Sequence, residues 1–88
     1  MKLSEDFICR SICGETLLMP VGEKTKEFNG IFTLTETGAF LLDRIREGDD
    51  PGDAAGALAA EFEIDEDTAR EDAREFFGQL TEYGILVE

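Results

Sequence analysis

An α+β fold is predicted for this chain: a three-stranded antiparallel sheet at the N-terminal end followed by three helices, in a winged-helix-like arrangement. Three observations predict it. Strand-type residues flank Gly14 in FICRSICGETLLMP (7–20), the stretch NGIFTLTETGAFLLDRI (29–45) changes from strand to helical period in its middle, and helical spacing then continues to Tyr83. At 88 residues with a 42% apolar fraction, the chain is long enough for one modest core, so a single domain spanning 1–88 is expected.

The first two strands, over about 7–13 and 16–20, form a hairpin. Glycine at position 14 suits the first central position of a type II′ turn over Gly14-Glu15, which would set Ile12 against Leu17 and Arg10 against Met19. The alternative is that Gly14 marks only a loop. Val21 to Gly30, with Gly22, Lys24, Lys26 and Asn29, has no clear period and reads as a polar connection.

The third strand, about 30–34, places Phe32 and Leu34 on one face and Ile31 and Thr33 on the other. It is short and gives way abruptly to a helix over about 35–47, capped by Thr35, with Phe40, Leu41, Leu42 and Ile45 as its apolar face. Asp49-Asp50-Pro51 starts a second helix, about 50–62, with Ala55, Leu58, Ala59 and Phe62 as its stripe. A third, about 65–83, carries the strongest helical pattern in Ala69, Ala73, Phe76, Phe77, Leu80 and Tyr83. Gly84 ends it, and Ile85-Leu86-Val87 should fold back on the core rather than stand exposed.

Charge and chemistry exclude several functions. The net charge is −13, and twelve acidic residues between Glu47 and Glu75 stand against only Arg70 and Arg74. That surface repels phosphate, so a DNA-binding role for the fold is rejected, as is nucleic acid generally. The acids read first as a solubility device, with docking to a basic face of a partner as the alternative.

No catalytic residue is assigned: there is no histidine, no nucleophile beside a base and no glycine-rich phosphate loop. An acyl carrier is excluded because Ser4 and Ser11 both precede the helices. No metal or cofactor is expected, since Cys9 and Cys13 are the only thiols; both are expected as buried free thiols, too far apart along one strand for a disulfide. No run approaches a membrane span and MKLSEDF lacks a signal-peptide pattern, so a cytoplasmic protein is expected.

Two segments carry a family resemblance. LTETGAFLLDRI (34–45) resembles the "LNETG" segment and following helix of PqqD-like proteins, and DTAREDAREFFGQLTEYGIL (67–86) resembles their last helix. Thr35 stands where that family usually has Asn, Phe77 where it often has Leu, and Leu42 near the place of a common tryptophan, while Asp72 matches a family aspartate.

The resemblance implies a recognition element for ribosomally made precursor peptides. Such a domain binds the leader segment as an added strand and presents the peptide to a modifying enzyme, such as a radical S-adenosylmethionine enzyme. Carried onto this chain, Ile31, Phe32, Thr33 and Leu34 would bond the leader, and Arg70, Arg74 and Phe77 would line the helix side of the groove.

An unfinished edge strand beside an apolar groove is physically suited to that task. For Phe32, Leu34, Phe76 and Leu80, ordinary core packing competes with direct contact. Arg70 and Arg74 fit either a leader carboxylate or local pairing with Glu66, Glu71 or Glu75. Asp72 fits a structural role as well as a peptide contact. The chain is expected to be a monomer or weak homodimer, and the alternative function is a protein-docking or self-associating adaptor.

Overall fold

A computed structural model describes residues 1–27 and 30–88. Its elements are β1 (Lys2–Leu3), β2 (Phe7–Ile12), β3 (Glu15–Pro20), a 3₁₀ turn (Gly22–Lys26), β4 (Phe32–Leu34), α1 (Glu36–Arg46), α2 (Pro51–Phe62), α3 (Glu66–Glu82) and β5 (Leu86–Val87). The expected three-stranded antiparallel sheet is formed in the order β2-β3-β4, with three helices following it.

The hairpin turns one residue earlier than expected. Cys13 and Gly14 both have positive φ, 52° and 80°, the signature of a two-residue type I′ turn, and glycine is well suited to its second position. Ile12 therefore faces Glu15, and Arg10 faces Leu17 rather than Met19. The register differs from the expected one by two residues, so every side chain keeps its face. Phe7 and Leu18 reach the core, at 2% and 0% exposure.

Cys13 is exposed at the hairpin tip, contrary to the expectation of two buried thiols, while Cys9 is half-buried; both are free. Asn29, read as part of the polar connection, lies outside the described residues. The 3₁₀ turn within that connection carries two surface ion pairs, Lys24 with Glu27 and Lys26 with Glu23.

Each helix starts on an oxygen-bearing side chain that satisfies a first-turn amide. Thr35 accepts from the Gly38 N–H at 3.1 Å, Asp50 from the Asp53 N–H at 2.8 Å, and Asp65 from the Asp67 and Thr68 N–H groups. Between α1 and α2, Arg44 bonds Asp49 at 2.7 Å and Glu47 at 3.1 Å, tying the connection to the helix before it. Glu63 ends α2 in the left-handed region at φ 53°.

The core gathers Leu18 from the sheet, Leu41, Leu42 and Ile45 from α1, Leu58 from α2, Ala69, Ala73, Phe77 and Leu80 from α3, and Ile85 and Leu86 beyond. Each fully buried leucine or isoleucine contributes about 1.5–3 kcal/mol of transfer free energy. Of the terminal apolar run, Ile85 and Leu86 fold back on this core as expected while Val87 stays exposed. The run is held by pairing, with β5 joined to β1, Leu3 opposite Leu86, and the Ser4 N–H donating to the Ile85 carbonyl at 2.8 Å. Among the described residues no helix is long and apolar enough to cross a membrane.

Candidate functional site

The sheet leaves β4 as a terminal strand, paired with β3 and with no other strand among the described residues. Which of its backbone groups face outward follows from the hairpin. A two-residue turn closes on a hydrogen-bonded pair, here Ile12 and Glu15, so along β3 the backbone groups of Glu15, Leu17 and Met19 turn toward β2. Those of Thr16 and Leu18 turn toward β4, where they meet Leu34 and Phe32. By the same alternation the N–H and C=O of Thr33 point to the outer side of β4.

Beyond that edge lies a groove of about 420 Å³ between β4, the first turn of α1 and one face of α3. Phe32, Thr33, Leu34 and Thr35 form its strand side, Thr37, Gly38 and Leu41 its floor, and Asp72, Glu75, Phe76, Gln79, Leu80 and Tyr83 its helix side. From Phe32 beside Tyr83 to Gly38 beside Phe76, the chain passes along the groove in the direction opposite to that of α3. Phe32 packs on Tyr83 with ring centroids 5.9 Å apart, and Gly38 lies under Phe76. A Cβ at position 38 would sit 2.9 Å from the Phe76 ring, so the absence of a side chain there lets the ring close on α1. The Thr35 cap fixes that first turn, with its hydroxyl 3.3 Å from that of Thr37.

The site residues expected from the sequence divide between two places. Phe32, Thr33 and Leu34 line the groove. Ile31 precedes β4, is 56% exposed and is not among the lining residues. Arg70, Arg74 and Phe77 do not line it. They border a second cavity of about 440 Å³, which also meets Met1 and, from the start of α2, Pro51, Gly52 and Ala55.

The reason is helical phase. At about 100° per residue, Asp72, Glu75, Phe76, Gln79 and Tyr83 cluster on one side of α3, and Arg70 and Arg74 fall on roughly the opposite side. Phe77 continues the core line of Ala69, Ala73 and Leu80 and is 4% exposed. The neighbouring Phe76 is the half-buried ring that reaches the groove. The sequence left Phe76 between core packing and direct contact and outside the candidate site, and it named neither Gln79 nor Tyr83 as a site residue; the phase set by Ala69, Ala73 and Leu80 is the signal that separates the two faces.

Asp72, left between a structural role and a peptide contact, lies at the groove and is exposed. Among the described residues Arg70 makes a loose surface pair with Asp67, at 3.8 Å. Among the described residues no group of three or more acidic or cysteine side chains is arranged to hold a metal ion. Every buried side-chain polar atom among them has a hydrogen-bond partner. The arrangement is a binding surface, with backbone donors and acceptors on one wall and aromatic rings on the other.

The model of the family described as coenzyme PQQ synthesis protein D (PqqD) matches residues 15–86. No curated protein matches the chain. Two solved structures share the fold. TbiB1 in complex with the TbiA(beta) leader peptide is 26% identical with a TM-score of 0.82, covering 98% of this chain and 94% of that one. Lasso peptide synthetase B1 complexed with the leader peptide is 22% identical with a TM-score of 0.83, covering 99% and 96%.

Proposed function

Because the chain belongs to the PqqD family, we propose that it is a non-catalytic recognition domain that binds the leader segment of a ribosomally made precursor peptide. The observation that carries this reading is the terminal strand β4, whose outward Thr33 backbone faces a groove walled by Phe76 and Tyr83. An extended peptide laid beside β4 bonds Thr33 through its main chain and sets alternate side chains against α3. Support also comes from TbiB1, 26% identical over nearly the whole chain, whose structure holds a leader peptide.

The domain's contribution to chemistry is proximity. A leader held on β4 keeps the rest of the precursor near a separate modifying enzyme, such as a radical S-adenosylmethionine enzyme, and raises its effective concentration there. The helix-side contacts in this reading are Phe76, Gln79 and Tyr83, in place of Arg70, Arg74 and Phe77. The site of action is the cytoplasm. The working form is a monomer, since a leader on β4 occupies the edge through which two copies would pair and the net charge of −13 opposes their approach.

The test is titration calorimetry against synthetic leaders of the short precursor peptides encoded beside the gene. Micromolar or tighter binding to one of them is expected. Phe76→Asp, checked as folded by circular dichroism, should abolish it, and Arg70→Ala/Arg74→Ala should not weaken it. Binding to none of these leaders, or loss only in the arginine variant, would overturn the reading.

A further inference from the structure

The groove is chemically polarised along its length. At one end Phe32 and Tyr83 pack together, and at the other the charged lining residues are Asp72 and Glu75, with no lysine or arginine among them. Both carboxylates are exposed, and none of the ion pairs among the described residues uses either. Their charge is therefore available to a ligand, in a chain whose overall charge already favours cations.

The spacing of the two ends is fixed by α3. From Tyr83 to Glu75 and Asp72 the helix rises about 12–16 Å at ~1.5 Å per residue. An extended peptide covers about 13 Å in four residues, and residues four apart lie on the same face of a strand. Gln79, four residues from both Tyr83 and Glu75, lies midway, so the intervening position on that face meets a polar side chain, and Phe76 stands beside the carboxylates.

We infer that the groove selects an extended peptide carrying an aromatic or large aliphatic side chain at the Phe32–Tyr83 end and a lysine or arginine four residues away at Asp72 and Glu75. This rests on the peptide-binding reading and adds to it the class of sequence that binds. The cation is recognised by position, so it differs from general attraction of a basic peptide to an acidic protein.

Selection from a displayed library of random dodecapeptides tests it. Three proteins serve as bait: the wild type, Asp72→Asn/Glu75→Gln, and a control, Glu5→Gln/Glu61→Gln, which makes the same change in net charge at exposed positions outside the groove. The expected result is enrichment of Lys or Arg four positions from an apolar residue with the wild type and the control, and its loss with the groove variant. Synthetic copies of the enriched peptides should bind the groove variant about two- to ten-fold more weakly, the range for one or two exposed ion pairs.

Peptides enriched without that spacing, or with it equally in all three proteins, would overturn the inference while leaving peptide binding in place. Failure of the wild type to enrich any peptide would overturn both.

Discussion

Proline at position 33 separates the outward face of β4 from its inward face. Leu34 and Phe32 lie opposite Thr16 and Leu18 in the ladder, and the Thr33 N–H points away from β3. Thr33→Pro therefore removes a donor that the sheet does not use, at an edge position where proline is tolerated, and residue 32 already has the extended conformation proline requires before it. Leu34→Pro removes a ladder donor instead, leaves an acceptor on β3 unmet and strips a side chain packed on the core, so it should cost at least about 1–3 kcal/mol. For a domain of this size that lowers Tm by about 4 °C or more, against little change for Thr33→Pro.

Peptide binding should respond differently. One lost main-chain bond is worth about 0.5–1.5 kcal/mol net, so a leader that bonds the Thr33 amide should bind the Thr33→Pro variant about two- to thirteen-fold more weakly. Thermal melts and calorimetry on both variants read the two effects separately. The reasoning is refuted if Thr33→Pro melts as low as Leu34→Pro, which would mean that its amide serves the sheet. It is refuted equally if Thr33→Pro stays folded with unchanged affinity.

Three further outcomes follow from particular contacts. Gly38→Ala should leave stability within about 1 kcal/mol, because improved helix propensity offsets displacement of the Phe76 ring, yet weaken leader binding in calorimetry as that ring moves into the groove. Leu58→Ala, at a side chain with no exposure, should cost about 2–5 kcal/mol in urea denaturation.

Burial, opposed by nearby Arg46, pushes the Cys9 thiol above its ordinary value, so iodoacetamide should label exposed Cys13 first and Cys9 only as the pH rises further. In the window between the ordinary and the raised value the unfolded chain binds fewer protons than the folded one. Stability should therefore fall as pH rises through that window, and Cys9→Ala should remove this part of the pH dependence in urea titrations.

The helical half of the fold was legible because its signals are local. Thr35, Asp50 and Asp65 cap helices through side chains one turn from the amides they satisfy, and the apolar stripes at three and four residues define buried faces without knowledge of their partners. The hairpin was legible except for its turn. Gly14 has positive φ in either turn type, but glycine alone does not fix the register, and nothing in Cys13 signals that a non-glycine residue will take φ 52° beside it. The pairing of β1 with β5 was not legible, because two-residue strands carry no alternation and their partners lie at opposite ends of the chain.

At the candidate site, the edge strand was readable and the helix wall was not. Phe76 and Phe77 are adjacent, equally aromatic and about 100° apart on α3, so one serves the core and the other the groove. Taking the two arginines as part of the groove followed their contrast with an acidic surrounding, a chemical cue. Helical phase, a geometric one, sets them on the far side.

The central claim, that a leader lies between β4 and α3, is tested most directly by amide NMR of the labelled domain titrated with a synthetic leader. The account predicts shifts at Thr33 and Thr35 and along Asp72, Phe76, Gln79 and Tyr83, with Arg70, Arg74 and the start of α2 unmoved. Shifts centred instead on Arg70, Arg74, Pro51 and Gly52, with Thr33 unchanged, would contradict it and place the peptide in the second cavity.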